Sequence, residues 1–266
     1  MSVNFSDITI TSLETITAFD IVTGAFKWVL DELQNATIAN AQETTDITGK
    51  QGRLLNTLKR NKSVTISGNN GLISGGLMET QVGGTFENKA TPVLYPDTQV
   101  VTGNKAVTAF KAVGTTGNEI EQIYVRNADG TLGVSMTQGA EVATGVFTYD
   151  PETKELVFNE GELEDGTEIV IYYKRKVQAN VLENMSDHYS EKVALYIDAF
   201  AEDRCGKVYR VQIHLPKADF NGNFDIQMGN DQSVHAFEAR ALAGACGASG
   251  SLWTFIVFGE DAEDVA

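Results

Sequence analysis

Apolar residues along much of this chain alternate with polar ones at a period of two, which is the signature of strands with one buried face. The clearest run is 192–200, KVALYIDAF, where Val193, Leu195, Ile197 and Ala199 fall on one side. Similar runs follow at 207–215 (KVYRVQIHL), 223–228 (NFDIQM), 233–241 (SVHAFEARA) and 251–258 (SLWTFIVF). The links are short: EDRCG, a turn at Asn221-Gly222, and Gly229-Asn230 with Asp231. Links of that length predict an antiparallel meander.

The N-terminal part reads less directly. Phe19, Val22, Phe26, Val29, Leu30 and Leu33 fit a helical stripe, but Thr23-Gly24 lies between two β-rich runs, and a hairpin is the better reading. SVTIS at 63–67 predicts a strand. GLISGGLMETQ at 71–81 predicts a short helix with Asn70 as N-cap. Gly75-Gly76 weakens that helix, or lets another part of the chain come close.

Residues 93–178 read as a separate unit. Gly83-Gly84 and Pro92 mark its entrance, and turn signals recur at NADG, YDPETKE and LEDG. Short strands are predicted near Val100 and at 106–112, 120–125, 132–136, 145–149, 155–158 and 168–174. Even spacing of this kind predicts a small Ig-like β-sandwich. QANVLENMSD (178–187) predicts a short helix leading back to the body. The expected organisation is a body of 1–92 and 179–266 interrupted by an insert at 93–178. The fold class is mainly β: an antiparallel sandwich or barrel with one or two short helices, plus the inserted sandwich.

Composition agrees with a folded chain: 42% of the 266 residues are hydrophobic and 21% charged. MSVNFSDITI lacks the basic and apolar regions of a signal peptide, and no apolar stretch nears the roughly 18 residues of a membrane span, so no membrane association is expected. Cys205 and Cys246 are expected to be reduced, partly buried thiols. The N-x-S/T sequons at Asn4, Asn35, Asn61 and Asn184 then count as chance matches.

Charge adds the most distinctive feature. The formal net charge is −16. Yet 47–78 contains no Asp or Glu and carries Lys50, Arg53, Lys59, Arg60 and Lys62, leaving 15 basic against 36 acidic residues elsewhere. TGKQGR does not make this a phosphate loop, because Thr44 stands where the first glycine belongs and Gln51 follows Lys50. A nucleic-acid platform interleaves basic residues with aromatics, and 47–78 has none. Two readings stay open: a solvated basic hairpin, or a subunit interface. A basic patch on an acidic subunit favours head-to-tail docking, which closes into rings or extends into filaments. Its acidic partner is either the 150–168 run, with Glu160, Glu162, Glu164 and Asp165, or the tail Glu260, Asp261, Glu263 and Asp264.

Catalytic signals are weak throughout the sequence. His188, His214 and His235 form no local ligand cluster, and HExxH, CxxC and GxSxG do not occur. No enzyme activity, cofactor or metal is expected.

Two stretches resemble a known family. LDELQNATIANAQETTDITGKQGRLLNTLKRNKSVTISGNNGLISGGLMETQVGG (30–84) and CGKVYRVQIHLPKADFNGNFDIQMGNDQSVHAFEARALAGACG with LWTFIVFG (205–259) are similar to the halves of tail tube proteins, the major tail proteins of long-tailed bacteriophages. The resemblance implies a virion tail protein, assembled in the host cytoplasm. Its copies would form stacked, hexameric rings around a hollow, acidic lumen through which DNA passes transiently at ejection. It implies contact with other tail proteins, and a long hairpin reaching the next ring, for which 35–60 is the candidate. The insert has no counterpart in a minimal tube protein and would decorate the outside. Alternative readings are a capsid or decoration protein, for which no long spine helix is evident, and a carbohydrate- or receptor-binding virion module using Tyr95, Tyr124, Tyr149, Tyr172 and Tyr173.

Overall fold

The structure, a computed structural model, describes residues 7–226, 234–243 and 250–259. The chain begins with β1 (Ile8–Asp20), β2 (Phe26–Leu30), β3 (Leu33–Thr48), β4 (Leu54–Asn70) and the helix α1 (Gly75–Val82). It continues through β5 (Glu87–Val100), β6 (Lys105–Val107), β7 (Ile120–Arg126), β8 (Leu132–Gln138), β9 (Val146–Asp150), β10 (Glu155–Val157) and β11 (Glu168–Val181). It closes with β12 (Lys192–Asp203), β13 (Val208–Phe220), β14 (His235–Ala241) and β15 (Thr254–Phe258). The fold is mainly antiparallel β with one α-helix among the described residues, as the alternation predicts. Two compact units result: Met1–Phe86 with Leu182–Ala266, and Glu87–Val181.

The first unit is built on an eight-stranded sheet ordered β2-β1-β12-β13-β14-β4-β3, with β15 on β13. The sheet curls, so that β1 and β3 meet although β12, β13, β14 and β4 lie between them in the order. Alternation explains which face is inside. Ile16, Ala18, Val64, Ile66, Val193, Leu195 and Leu215 are fully buried, whereas their sequence neighbours face out. Each such Val, Leu or Ile side chain contributes about 1.5–3 kcal/mol. Helix α1 joins the same core through Leu77. There Trp28 meets Phe220 edge-on at 5.8 Å and donates its indole N–H to Thr80 Oγ1 at 2.8 Å.

The Thr23-Gly24 hairpin joins β1 to β2, as its turn chemistry predicts. The α1 N-cap, however, is Ser74, whose Oγ accepts from the Leu77 N–H at 3.3 Å. Asn70 cannot cap, because it still belongs to β4, paired with His235 and Leu33, and its Nδ2 donates to the Leu72 carbonyl. The close approach at Gly76 is real: a Cβ there would lie 2.6 Å from Trp28 Cβ.

The C-terminal strands depart from a simple meander. β13 is long enough to hold two partners on one edge, β14 along Ala218–Phe220 and β15 along Arg210–His214. β14 then turns away to pair with β4, and β15 returns to β13 rather than to β14. The predicted strand at 223–228 reduces to one isolated bridge, Ile226 to His235, and its last two residues lie outside those described. The predicted helix at 178–187 is also absent. β11 runs on to Val181, because 178–181 finds partners in Glu87 to Ala90, and 182–191 is irregular. Cys205 is a free, exposed thiol in the β12–β13 turn rather than a partly buried one, and Cys246 lies outside the described residues.

His235 is fully buried and joins three elements. Its Nδ1 accepts from the Ser74 N–H at 3.3 Å, so its Nε2 carries the proton toward Gln81 Oε1 at 2.8 Å. Burial holds the imidazole pKa below its ordinary 6.5. The unfolded chain therefore takes up this proton first as pH falls. The stabilisation by neutral His235 is complete above about 6.5 and is lost as pH drops through the depressed folded value. We expect the melting temperature of the wild type to fall more steeply between pH 7.5 and 5 than that of His235→Gln, compared by differential scanning calorimetry. Parallel pH profiles would remove His235 as the titrating group.

The second unit follows one strand path, β5-β11-β7-β8-β9-β10-β6. The β8–β9 link is parallel and spans only Thr137↔Val146 and Gln138↔Phe147, so the path folds into two antiparallel ladders. Both ladders feed one core, with Ile123, Ile169, Ile171 and Tyr173 on one side and Phe147 and Leu156 on the other. The unit begins at Glu87 rather than at the expected 93, because β5 and β11 pair without a break from Glu87↔Val181 to Glu168↔Val100. A buried network pins its 108–112 segment. Asp97 accepts from the Ala109 N–H and the Tyr173 hydroxyl, and Tyr149 Oη accepts from the Ala112 N–H.

Candidate functional site

β3 and β4 form one long antiparallel hairpin, from Leu33↔Asn70 to Thr48↔Leu54. Its root is core: Val64 and Ile66 are fully buried and Ile38 packs against them. Beyond a register shift between Ala41 and Glu43 the hairpin leaves the core, and every residue from Ala39 to Thr48 is exposed. Asn61 marks the bulge on the opposite strand, with φ 51°, and its Nδ2 donates to Glu43 Oε2 at 2.6 Å. The tip is a single 3-10 turn at Lys50–Gly52, with Gly52 at φ 74°. Asn and Gly at these two places supply left-handed conformations that most side chains resist.

All five basic residues picked out from the sequence lie on this exposed arm. Lys50 and Arg53 sit at the tip, and Lys59, Arg60 and Lys62 lie along β4. The structure thus gathers them on one projecting element. The arm's own acids are occupied otherwise: Glu43 bonds Asn61, and Asp46 Oδ1 accepts from Thr57 Oγ1 at 2.9 Å. Among the described residues none of the five cations has an ion-pair partner. Exposed unpaired cations on a two-stranded arm are suited to meeting a negative surface outside the subunit.

Charge was the only signal read from this segment, and a second one escaped it. Leu54 and Leu55 are 57% and 56% exposed, and Ile47 and Leu58 are also exposed. In the sequence they look like an ordinary β core run. Their exposure becomes visible only once β3 and β4 are seen to leave the body. The hairpin thus presents apolar as well as basic side chains to solvent.

The described histidines other than His188 stand apart from this arm. His235 and His214 occupy different settings: His214 stacks on Tyr196 at 4.2 Å, and burial lowers its pKa. Among the described residues no group of three His, Cys, Asp or Glu is placed to hold a metal ion, and no helix is long and apolar enough to cross a membrane. Of the two acidic surfaces read from the sequence, the 150–168 run lies in the second unit and the tail lies outside the described residues.

The first unit is thus a curled, mainly β body from which a basic and partly apolar hairpin extends. The family model for the YomU/Tube protein family matches residues 8–255, and the chain belongs to that family. Membership points to a phage-derived, tube-like protein. None of the curated proteins compared with the chain matches it.

Proposed function

We propose that this chain is a tail tube subunit, whose copies form hexameric rings that stack into a hollow conduit for DNA. The observation that carries this reading is the basic, apolar-tipped arm of β3 and β4 on a subunit of net charge −16. The arm and the acidic surface it meets are different parts of one chain, so the contact is heterologous and propagates. Family membership supports the same reading. The excess of carboxylates suits a lumen past which DNA phosphates slide without sticking. The protein then acts by shape and charge, with no catalytic step, cofactor or membrane, in a virion tail assembled in the host cytoplasm alongside other tail proteins. Negative-stain microscopy of the purified protein tests this. Hollow rings or tubes about 100 Å wide are expected for a ring of domains each tens of Å across. A monomer that never polymerises, even when concentrated, defeats the reading.

A further inference from the structure

Two clefts on the outer face of β1, β12 and β13 meet at Asp198. The larger, of about 590 Å³, is lined by Phe19, Asp20, Tyr196, Asp198, Gln212 and Pro216. The smaller, of about 230 Å³, adds Glu14, Phe200 and Arg210. Together they make one trough with a part-aromatic floor. Phe19 lies edge-on to Tyr196 at 5.5 Å and to Phe26 at 6.1 Å, and Phe26 and Val22 at its end are 60% and 86% exposed. Its charge is mostly negative: Glu14, Asp20 and Asp198 against Arg210, whose guanidinium sits over the Phe200 ring at 5.4 Å. The acids are held by neutral donors, Asp20 by Val22 and Thr23, Asp198 by Gln212, and Glu14 by Ser12. None of the three has an ion-pair partner among the described residues.

We propose that this trough is the seat for the basic hairpin arm of a second copy. The inference rests on the assembly reading above and names the surface that the arm meets. Charge selects it. The arm carries five cations against Glu43 and Asp46, and the trough offers three carboxylates against one guanidinium. Apolar chemistry agrees, since Ile47, Leu54, Leu55 and Leu58 on the arm match the aromatic floor. Another cleft, on the core-facing side of the sheet, is the weaker seat. It is lined by Leu13, Ile38, Trp253 and Phe255 with no charged residue, so it leaves five cations unanswered. Arm and trough belong to different strands, so each copy offers both and the contact repeats.

Complementary blocked variants test the pairing. One carries Lys59→Glu, Arg60→Glu and Lys62→Glu on the arm; the other carries Glu14→Lys and Asp198→Lys in the trough. Each is assembled separately, then mixed in equal amounts and sized by light scattering. Alone, each is expected to stop at a single layer. In the mixture intact arms meet intact troughs and glutamate arms meet lysine troughs, both opposite in charge, so layers should stack again to many times the single-layer mass. Should the lysine trough variant fail to fold by circular dichroism, Glu14→Gln with Asp198→Asn replaces it; its neutral trough does not answer a glutamate arm, so that mixture should double in mass and grow no further. If the arm variant stops but the trough variants still grow, or the mixture stays at single-layer mass, the trough is not the seat and the assembly reading survives. If the arm variant itself grows full tubes, the arm is not the stacking element and the trough inference fails while the assembly reading stands; if the wild type never polymerises, both fail.

Discussion

Reversing Lys59, Arg60 and Lys62 together to glutamate is expected to abolish growth beyond a single layer while leaving the fold intact. The three side chains are exposed and unpaired, and they lie on the part of β4 that has left the core. Exposed substitutions of this kind change stability by about 0.5 kcal/mol or less each. Circular dichroism and the urea midpoint should therefore match the wild type. Assembly responds differently, because like charges brought together across an interface cost several kcal/mol. Electron microscopy before and after concentration reads the loss. A charge-matched control separates position from net charge: Lys105, Lys111 and Lys174 reversed to glutamate, all already ion-paired within the second unit. If that control also stops growth, overall charge is responsible and the arm has no special place. Salt gives an independent check. The screening length is about 10 Å at 0.1 M, so wild-type assembly should weaken modestly as salt rises, with the apolar contacts of Leu54 and Leu55 persisting.

Strand positions were legible wherever local patterning decides them. KVALYIDAF buries Val193, Leu195, Ile197 and Ala199 because alternation and a one-sided core leave no other arrangement. The Thr23-Gly24 turn was legible for the same reason, since hairpin chemistry is a property of a few residues. The misreadings share a different cause, competition between distant partners. Asn70 has the right side chain for an N-cap, but β14 and β3 claim it as a strand residue. The 178–181 run can form a helix, but 87–90 offers it a ladder. β15 goes to β13 because β14 has left that edge open, which no short window records. The candidate site divides in the same way. Its cations stood out as a charge anomaly. Its apolar residues did not, because Ile47 and Leu58 become surface only when β3 and β4 pair beyond the end of the core.

Gly83→Ala is expected to be the most damaging small substitution in the body. Gly83 ends α1 at φ 73°, and its N–H donates to the Glu79 carbonyl at 2.8 Å. An alanine there takes on left-handed backbone strain of about 1–2 kcal/mol. It also meets a wall, because the new Cβ would lie 2.0 Å from the Tyr189 carbonyl oxygen and 2.7 Å from its carbon. That obstacle is backbone, which no rotamer change moves aside. Nor can the segment retreat easily, because the Glu191 N–H is bonded to the Thr80 carbonyl at 2.8 Å, tying it to the same helix. Helix α1 in turn carries Leu77 and the Thr80 hydroxyl that receives the Trp28 indole, so a shift there loosens one end of the core. The combined loss should reach about 3–5 kcal/mol, the range of severe single mutations. Gly24→Ala supplies the comparison: its φ is 69°, but nothing lies within 4 Å of the new Cβ. It should lose only the strain, about 1–2 kcal/mol. The difference between the two urea midpoints isolates the close packing of the α1 terminus against Tyr189. Equal midpoints would mean that the two backbones do not approach each other as described, and that α1 is held mainly by its side chains.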